Sequence, residues 1–201
     1  DLDLRNALTI DWNERGIYMM CVGKRIWCYN YRVDAWYILD IPHEPTCFLA
    51  VDGKLCFGTT TGEIMQFDES LGTFDGQTIV AEWEMGYYNF GVDWLRKFIK
   101  KLFISILPLT RTHVDIYVST DRVSAFQFVK RIEYSISSFE TWDFSNFSFE
   151  TNFSPQPFKV KLREGKKIDY LKLKLVNDEN DGAVMLTITL PTRIGGEVKQ
   201  R

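Results

Sequence analysis

The pentapeptide at residues 26–30, Ile-Trp-Cys-Tyr-Asn, returns 38 residues later as Ile-Met-Gln-Phe-Asp at residues 64–68. Each copy follows a short turn that contains a glycine, Gly23 in the first and Gly62 in the second. A β-prone run precedes each turn. A period of about 40 residues, built from short strands and glycine-containing turns, is the spacing of a β-propeller blade. We therefore expect residues 1–76 to form a partial β-propeller of about two blades.

The composition favours a folded, strand-rich chain. Hydrophobic residues make up 45% of the 201 positions, which excludes a disordered chain, and the 15% of aromatic residues favours strands. The net charge of -3 gives no overall attraction to nucleic acid or anionic membranes. The apolar run at residues 102–109 is too short to span a bilayer, so we expect no membrane span. Because the sequence begins at Asp1 without a methionine and soon enters a predicted strand at Ala7–Trp12, we expect it to be a fragment or the C-terminal portion of a longer protein.

Residues 77–201 predict a second, β-sandwich-like domain in an all-β chain. Residues 92–101 fit helical spacing as well as strand alternation, and we favour a long strand that begins near Lys97. Alternating apolar positions in residues 167–176 and 183–192 predict a closing hairpin.

Two further expectations concern packing. The dipeptide Asp52-Gly53 between two β-prone runs is the strongest hairpin signal in the chain. We expect Trp27, Trp36 and Trp83 to be largely buried, with Trp27 and Trp36 on paired blade strands, where a large ring fills the space between blades.

The sequence contains no catalytic motif. Its two histidines, His43 and His113, have no serine or cysteine nucleophile motif nearby. Glu82 and Glu84 flank Trp83 and would share one strand face, so a glycosidase carboxylate pair is an alternative to two solvated acids. We expect no enzyme activity, no catalytic residue and no cofactor.

A metal site is also not expected. The four cysteines, Cys21, Cys28, Cys47 and Cys56, form no Cys-x-x-Cys pair and lie within apolar or β-prone runs, as buried thiols do. The acidic segment at residues 177–182 resembles part of a calcium loop, but it lacks the terminal glutamate and the flanking helices. A solvated turn is the favoured interpretation.

A basic group interleaved with aromatic rings marks a first candidate interface. Its members are Trp94, Arg96, Lys97, Lys100 and Lys101, near Phe98. Such a mixture can bind the backbone of a nucleic acid, which makes a DNA contact possible. A solvated strand and an intersubunit contact are the alternatives.

Residues 139–153 form a second candidate interface. Aromatic rings recur there among serine, threonine, asparagine and acidic residues, without helical spacing. The segment is too polar to form a core, and its rings need a surface to lie against. We expect an extended arm that packs on a neighbouring subunit or an open blade edge through Phe139, Trp142, Phe144, Phe147, Phe149 and Phe153.

Several stretches carry a resemblance to a known family. They are residues 25–37, 52–68, 75–84, 88–91 and 97–103, followed by Leu186–Leu190, Arg193, Gly195, Gly196 and Lys199. In order and layout they resemble the C-terminal portion of tailed-phage and prophage structural proteins. The layout is similar to that of the propeller-containing tail hub, tail-nozzle and packaged-DNA stabilisation proteins of short-tailed phages.

The resemblance implies a virion building block without enzymatic residues. We expect a structural subunit of a tail, neck or hub that assembles in the host cytoplasm and remains in the virion. Its expected partners are other virion proteins and further copies of itself, as a homo-oligomer. The alternative is a carbohydrate- or receptor-binding β module that uses exposed tryptophan and tyrosine faces.

Overall fold

The computed structural model describes residues 4–68, 70–107, 112–134, 156–180 and 182–197. In these residues the protein is all β, as predicted, with 61% of positions in strands and no α-helix. A 3-10 turn at Leu4–Asn6 precedes the first strand. No helix in this part of the chain has the length and hydropathy that a membrane span requires. Two compact units divide the chain, Asp1–Gln77 and Thr78–Arg201, one residue from the predicted boundary.

The first unit contains two open antiparallel sheets. A four-stranded sheet runs in chain order through β1 (Leu8–Trp12), β2 (Ile17–Val22), β3 (Arg25–Asn30) and β4 (Ala35–Asp40). A three-stranded sheet follows with β5 (Pro45–Val51), β6 (Lys54–Thr59) and β7 (Ile64–Gln66), and then a ribbon of β8 (Thr73–Phe74) and β9 (Gln77–Thr78). Asp52 and Gly53 join β5 to β6 with φ of 51° and 75°, the positive values that a two-residue type I′ turn requires.

Both sheets of the first unit contribute to one buried core, although the echoed residues Ile26 and Ile64 differ, since Ile26 is buried and Ile64 is exposed. Met19 in β2 and Phe57 in β6 are 38 positions apart, and both belong to the same buried cluster. Blades arranged around a propeller axis would stack the front of one sheet on the back of the next. The strands have the predicted spacing, and β2 and β6 contribute equivalent positions to one core. The partial propeller remains a prediction from spacing alone.

The second unit contains a four-stranded sheet and two three-stranded sheets. The four-stranded sheet has the order β10 (Ala81–Glu84), β17 (Leu171–Asn177), β13 (Thr112–Thr120) and β14 (Gln127–Tyr134). One three-stranded sheet is β16 (Lys166–Ile168), β11 (Leu95–Phe98) and β19 (Arg193–Glu197). The other is β15 (Gln156–Lys161), β12 (Lys101–Leu107) and β18 (Val184–Thr189).

The two three-stranded sheets are one bent layer, because each strand of one continues into the matching strand of the other. The predicted long strand near Lys97 is therefore interrupted, with β11 ending at Phe98 and β12 beginning at Lys101. At the bend, Ile99 N donates to Gly165 O over 2.6 Å and Leu162 N donates to Lys100 O over 2.9 Å. A Cβ on Gly165 would lie 2.0 Å from Ile99 O, so this crossing requires a glycine.

The predicted closing hairpin is wrong. β17 pairs with β10 and β13 in the four-stranded sheet, whereas β18 pairs with β12 in a different sheet. Asn177, in the segment predicted to be a solvated turn, is buried, and its Nδ2 donates to Thr112 Oγ1 and His113 O. These bonds fix the end of β17 to β13. The chain then leaves the sheet instead of folding back beside β17.

The core of the second unit joins the four-stranded sheet to the bent layer. Alternate residues of β12 and β17 are buried, and the cluster includes Ile104, Ile116 and Leu173. Burial of alternate positions is the pattern of strands with one face on a core.

The prediction of three buried tryptophans is wrong for two of them. Trp36 is 65% exposed and Trp83 is 46% exposed. Trp36 lies on β4 and Trp83 on β10, and both strands are edges of their sheets. Trp27 lies on the inner strand β3 and is half-buried. An edge position leaves a ring without a neighbour on one side, which explains the difference.

Candidate functional site

The four-stranded sheet of the first unit has an apolar outer face, opposite its core face. Cross-strand pairing places Tyr18, Tyr29 and Trp36 in one row. Met20, Trp27 and Ile38 form the neighbouring row. We call these six residues the outer aromatic face. Tyr18, Trp36 and Ile38 are exposed, and the other three are half-buried.

Local contacts hold the rings of this face in place. Tyr29 and Trp36 stack with centroids 4.8 Å apart and an interplanar angle of 25°. Tyr29 Oη donates to Asp34 Oδ1 over 2.9 Å, and this hydrogen bond raises the pKa of the Tyr29 phenol. At the other end of β3, Arg25 binds both carboxylate oxygens of Asp40 at 2.6 and 2.8 Å, which lowers the pKa of Asp40. The apolar face thus has a polar rim.

The three-stranded sheet of the first unit also has an apolar outer side. Pairing of Leu49 with Cys56 and of Val51 with Lys54 places Leu49 and Val51 opposite the core face. Both are exposed, and Ile64 on β7 is 82% exposed. The first unit therefore presents apolar residues on the outer side of each of its two sheets.

A groove in the second unit is lined mainly by cations. Its volume is about 1490 Å³, and seven of its thirteen lining residues are lysine or arginine, while none is acidic. The seven come from segments far apart in sequence: Arg96, Lys100, Lys101, Arg122, Lys166, Lys167 and Arg193. We call this the basic groove. β11 pairs with β16 on one side and with β19 on the other, and this pairing brings the groove residues of the three strands together.

A polar network supports the basic groove. Arg96 Nη1 lies 2.8 Å from Asp169 Oδ1 and 3.4 Å from Asp121 Oδ2, and Asp121 Oδ1 accepts a hydrogen bond from Asp169 N over 2.8 Å. The contact with Asp169 Oδ1 is an ion pair without hydrogen-bond geometry. Arg96 Nη1 also donates to the carbonyl oxygen of Lys167, a residue with φ of 55°. Arg96 therefore positions the wall of the groove and is itself neutralised.

The predicted basic interface is only partly located in the groove. Arg96, Lys100 and Lys101 line it, and Trp94, 66% exposed, precedes β11. Lys97 is different because it is fully buried and its Nζ donates to Asp169 O over 2.9 Å. The prediction that Lys97 belongs to a surface interface is therefore wrong, because its side chain lies inside the second unit. The predicted arm at residues 139–153, with all six of its aromatic residues, lies outside the described residues.

Sequence reasoning missed four groove residues, Arg122, Lys166, Lys167 and Arg193. The dipeptide Lys166-Lys167 is a local basic signal, but nothing in the sequence shows that it lies beside β11. The same reasoning missed the outer aromatic face, although the alternation of Tyr18 and Met20 in β2 with buried residues contains its signal.

The candidate catalytic residues have structural partners. Glu82 pairs with Lys174 at 2.8 Å and Glu84 with Lys172 at 2.7 Å, so each carboxylate is matched by a lysine of β17. His43 Nε2 lies 2.9 Å from Asp75 Oδ2. His113 is mostly buried between Asp178 and Glu179, at 2.5 and 3.0 Å. These contacts tie strands and turns together.

No protein-family model and no curated protein matches this chain.

Proposed function

We propose that the protein is a structural subunit of a phage virion, in a tail, neck or hub, and that it acts through protein–protein assembly rather than catalysis. Its partners would be other virion proteins and further copies of the chain. The observation that carries the proposal is the outer aromatic face, where Trp36 and Ile38 are exposed beside half-buried Trp27. The resemblance of the sequence to tail hub and nozzle proteins supports the virion context.

The composition of the outer aromatic face supports the proposal of an interface. Large contiguous apolar patches are rare on monomeric proteins and mark sites of association. Aromatic residues are enriched at interface centres, and polar residues form the rim. Here Trp27 lies on the inner strand β3 with the Tyr29–Trp36 stack beside it, and the Arg25–Asp40 ion pair lies at the rim.

The edge of the same sheet offers a second mode of contact. Within the described residues, β4 pairs with β3 alone, so its other side presents free backbone groups. All of β4 except Leu39 is exposed. An uncovered edge with apolar side chains invites pairing with another strand. Apolar burial and strand pairing at β4 can therefore act together.

Self-association tests the proposal. Sedimentation velocity over a range of concentrations should show the full chain forming oligomers. The double substitution Trp36→Ser and Ile38→Ser should shift it to monomer with an unchanged circular dichroism spectrum. A matched control, Val33→Ser with Leu71→Ser, removes two exposed apolar side chains outside the face and should leave the oligomer intact. A chain that stays monomeric at every concentration would refute self-assembly.

A carbohydrate- or receptor-binding module is the second candidate, because Trp36 stacks on Tyr29 and yet remains exposed to solvent. Sugar rings stack on such exposed rings through their apolar faces. This alternative predicts a monomer that binds oligosaccharides in calorimetry and loses binding with Trp36→Ser. The assembly proposal predicts that the oligomer forms without any glycan.

A further inference from the structure

We infer that the basic groove of the second unit binds the phosphodiester backbone of a nucleic acid. This function is separate from self-assembly through the outer aromatic face of the first unit. The chain as a whole carries a net charge of -3, yet seven cations converge on one groove that no carboxylate lines. The fold creates this concentration, since the contributing segments range from Arg96 to Arg193 in sequence.

In the part of the chain that the structure describes, six of the seven cations are not neutralised by a carboxylate, and one of them, Lys101, lies over the ring of Phe103. Arg96 is neutralised by Asp169 and Asp121. Within the described ranges, no ion pair engages the side chains of Lys100, Lys101, Arg122, Lys166, Lys167 or Arg193. Like charges held close together repel one another, so the arrangement destabilises the empty groove. An anion would remove that repulsion.

The backbone at one edge of the groove is open. Lys97 pairs with Ile194 and Leu95 with Glu197, so Gly195 and Gly196 together face the single residue Arg96 in a β-bulge. Gly196 has φ of 78°, and the space where a Cβ of either glycine would lie is empty. Backbone N–H groups and lysine and arginine side chains are the usual donors to phosphate oxygens. The bulge thus lets a phosphate approach the main chain.

The dimensions of the groove favour a polymer over a single anion. A volume of about 1490 Å³ exceeds what one phosphate fills, and the cations are spread along the lining. A flat bilayer surface cannot follow a concave groove. Phe98 also lines the groove and provides a ring on which a base can stack. Because the donors address phosphates, we expect binding without sequence preference.

The number of phosphate contacts sets how steeply the binding affinity should fall with salt concentration. Each neutralised phosphate contributes about -0.9 to the slope of log K against log salt for duplex DNA, and about -0.7 for single strands. Six contacts predict slopes of about -5 and -4 respectively. Between about 50 and 200 mM salt, the duplex affinity should fall about 1000-fold.

The experiment is a fluorescence anisotropy titration of the full chain. Labelled single-stranded and duplex DNA of two unrelated sequences serve as probes, each over that salt range. The test variant carries Lys100→Gln, Lys166→Gln and Arg193→Gln, all at exposed positions. The control carries Lys130→Gln, Lys159→Gln and Lys161→Gln, which remove the same charge from exposed positions elsewhere in the unit. Circular dichroism checks the fold of both variants.

The wild type should bind both sequences with similar affinity, and the comparison of strands identifies the preferred form. The groove variant should reduce the duplex slope to about -3, while the control keeps the wild-type slope. Sedimentation with phosphatidylserine vesicles should leave the protein in solution. Absent DNA binding at low salt, equal losses in both variants, or binding to vesicles without binding to DNA would each overturn the inference. The groove variant should still self-associate, so its result is independent of the assembly proposal.

Discussion

Replacing Gly165 by alanine tests the bend that shapes the second unit. The new Cβ would lie 2.0 Å from Ile99 O and 3.0 Å from Ile99 C, both backbone atoms that cannot rotate away. Relief of the clash requires a shift of about 1 Å at a crossing where Ile99 N donates to Gly165 O. We therefore expect the bend to open and its hydrogen bond to be lost.

The magnitude follows from three contributions. Overpacking a close contact costs about 1–3 kcal/mol. Loss of the hydrogen bond adds about 1 kcal/mol. The reduced freedom of the unfolded alanine chain offsets about 0.4–1 kcal/mol. Together these terms lower the free energy of unfolding by about 1–4 kcal/mol, with a midpoint of about 2 kcal/mol.

Urea denaturation followed by circular dichroism measures this loss. Gly86→Ala is the matched control, because it lies in the same unit, has an ordinary φ, and its added Cβ would contact nothing within 4 Å. The control should change stability by less than about 1 kcal/mol. If Gly165→Ala unfolds at the same urea concentration as Gly86→Ala, the close crossing of Gly165 and Ile99 is refuted.

Three further predictions concern the core, the pH dependence and the arm. Burial raises the pKa of Cys28 to about 11, whereas Cys47 is exposed. Alkylation at pH 8, followed by mass spectrometry, should therefore label Cys47 first and Cys28 only after unfolding. Early labelling of Cys28 would contradict its burial in the core. The hydrogen bond from Arg131 lowers the pKa of Asp115, so the unfolded state binds more protons and stability should fall as pH drops below about 4. Asp115→Asn should reduce this loss of stability in melts recorded as a function of pH. An unchanged loss would show that the Arg131–Asp115 pair does not contribute to it. Deletion of residues 139–153 should abolish self-association in sedimentation while the sheet spectrum persists, and a deleted chain that still forms oligomers would show that the arm is dispensable.

Local signals in the sequence were sufficient to place the strands of the first unit. The Asp52-Gly53 turn and the 38-residue echo placed its strands, since both depend on residues close together in the chain. The face packing was not predictable, because alternation shows which residues share a face but not what covers it. This is why Trp36 was expected to be buried although it lies on an uncovered edge strand.

Pairing between distant segments limited prediction in the second unit. Both segments of the expected closing hairpin form strands, but β17 pairs with β13 and β18 pairs with β12 in a different sheet. The basic groove depends on the same long-range pairing, which places Lys166 and Arg193 on either side of β11. Lys97 shows a further limit. A charged residue in a basic run is normally solvated, so the sequence does not predict the burial of Lys97. Inside the second unit, the carbonyl oxygen of Asp169 accepts a hydrogen bond from its ammonium group.

Hydrogen–deuterium exchange as a function of protein concentration locates the surface through which the protein assembles, and we expect that surface to be the outer aromatic face. Amides of β4 that face no partner strand should exchange rapidly in dilute protein, because that edge is open. At concentrations where sedimentation shows oligomers, the peptide covering Ala35–Asp40 should gain protection, and Trp36→Ser with Ile38→Ser should remove the gain. Oligomers that form while Ala35–Asp40 exchanges at the dilute rate would refute assembly through the outer aromatic face.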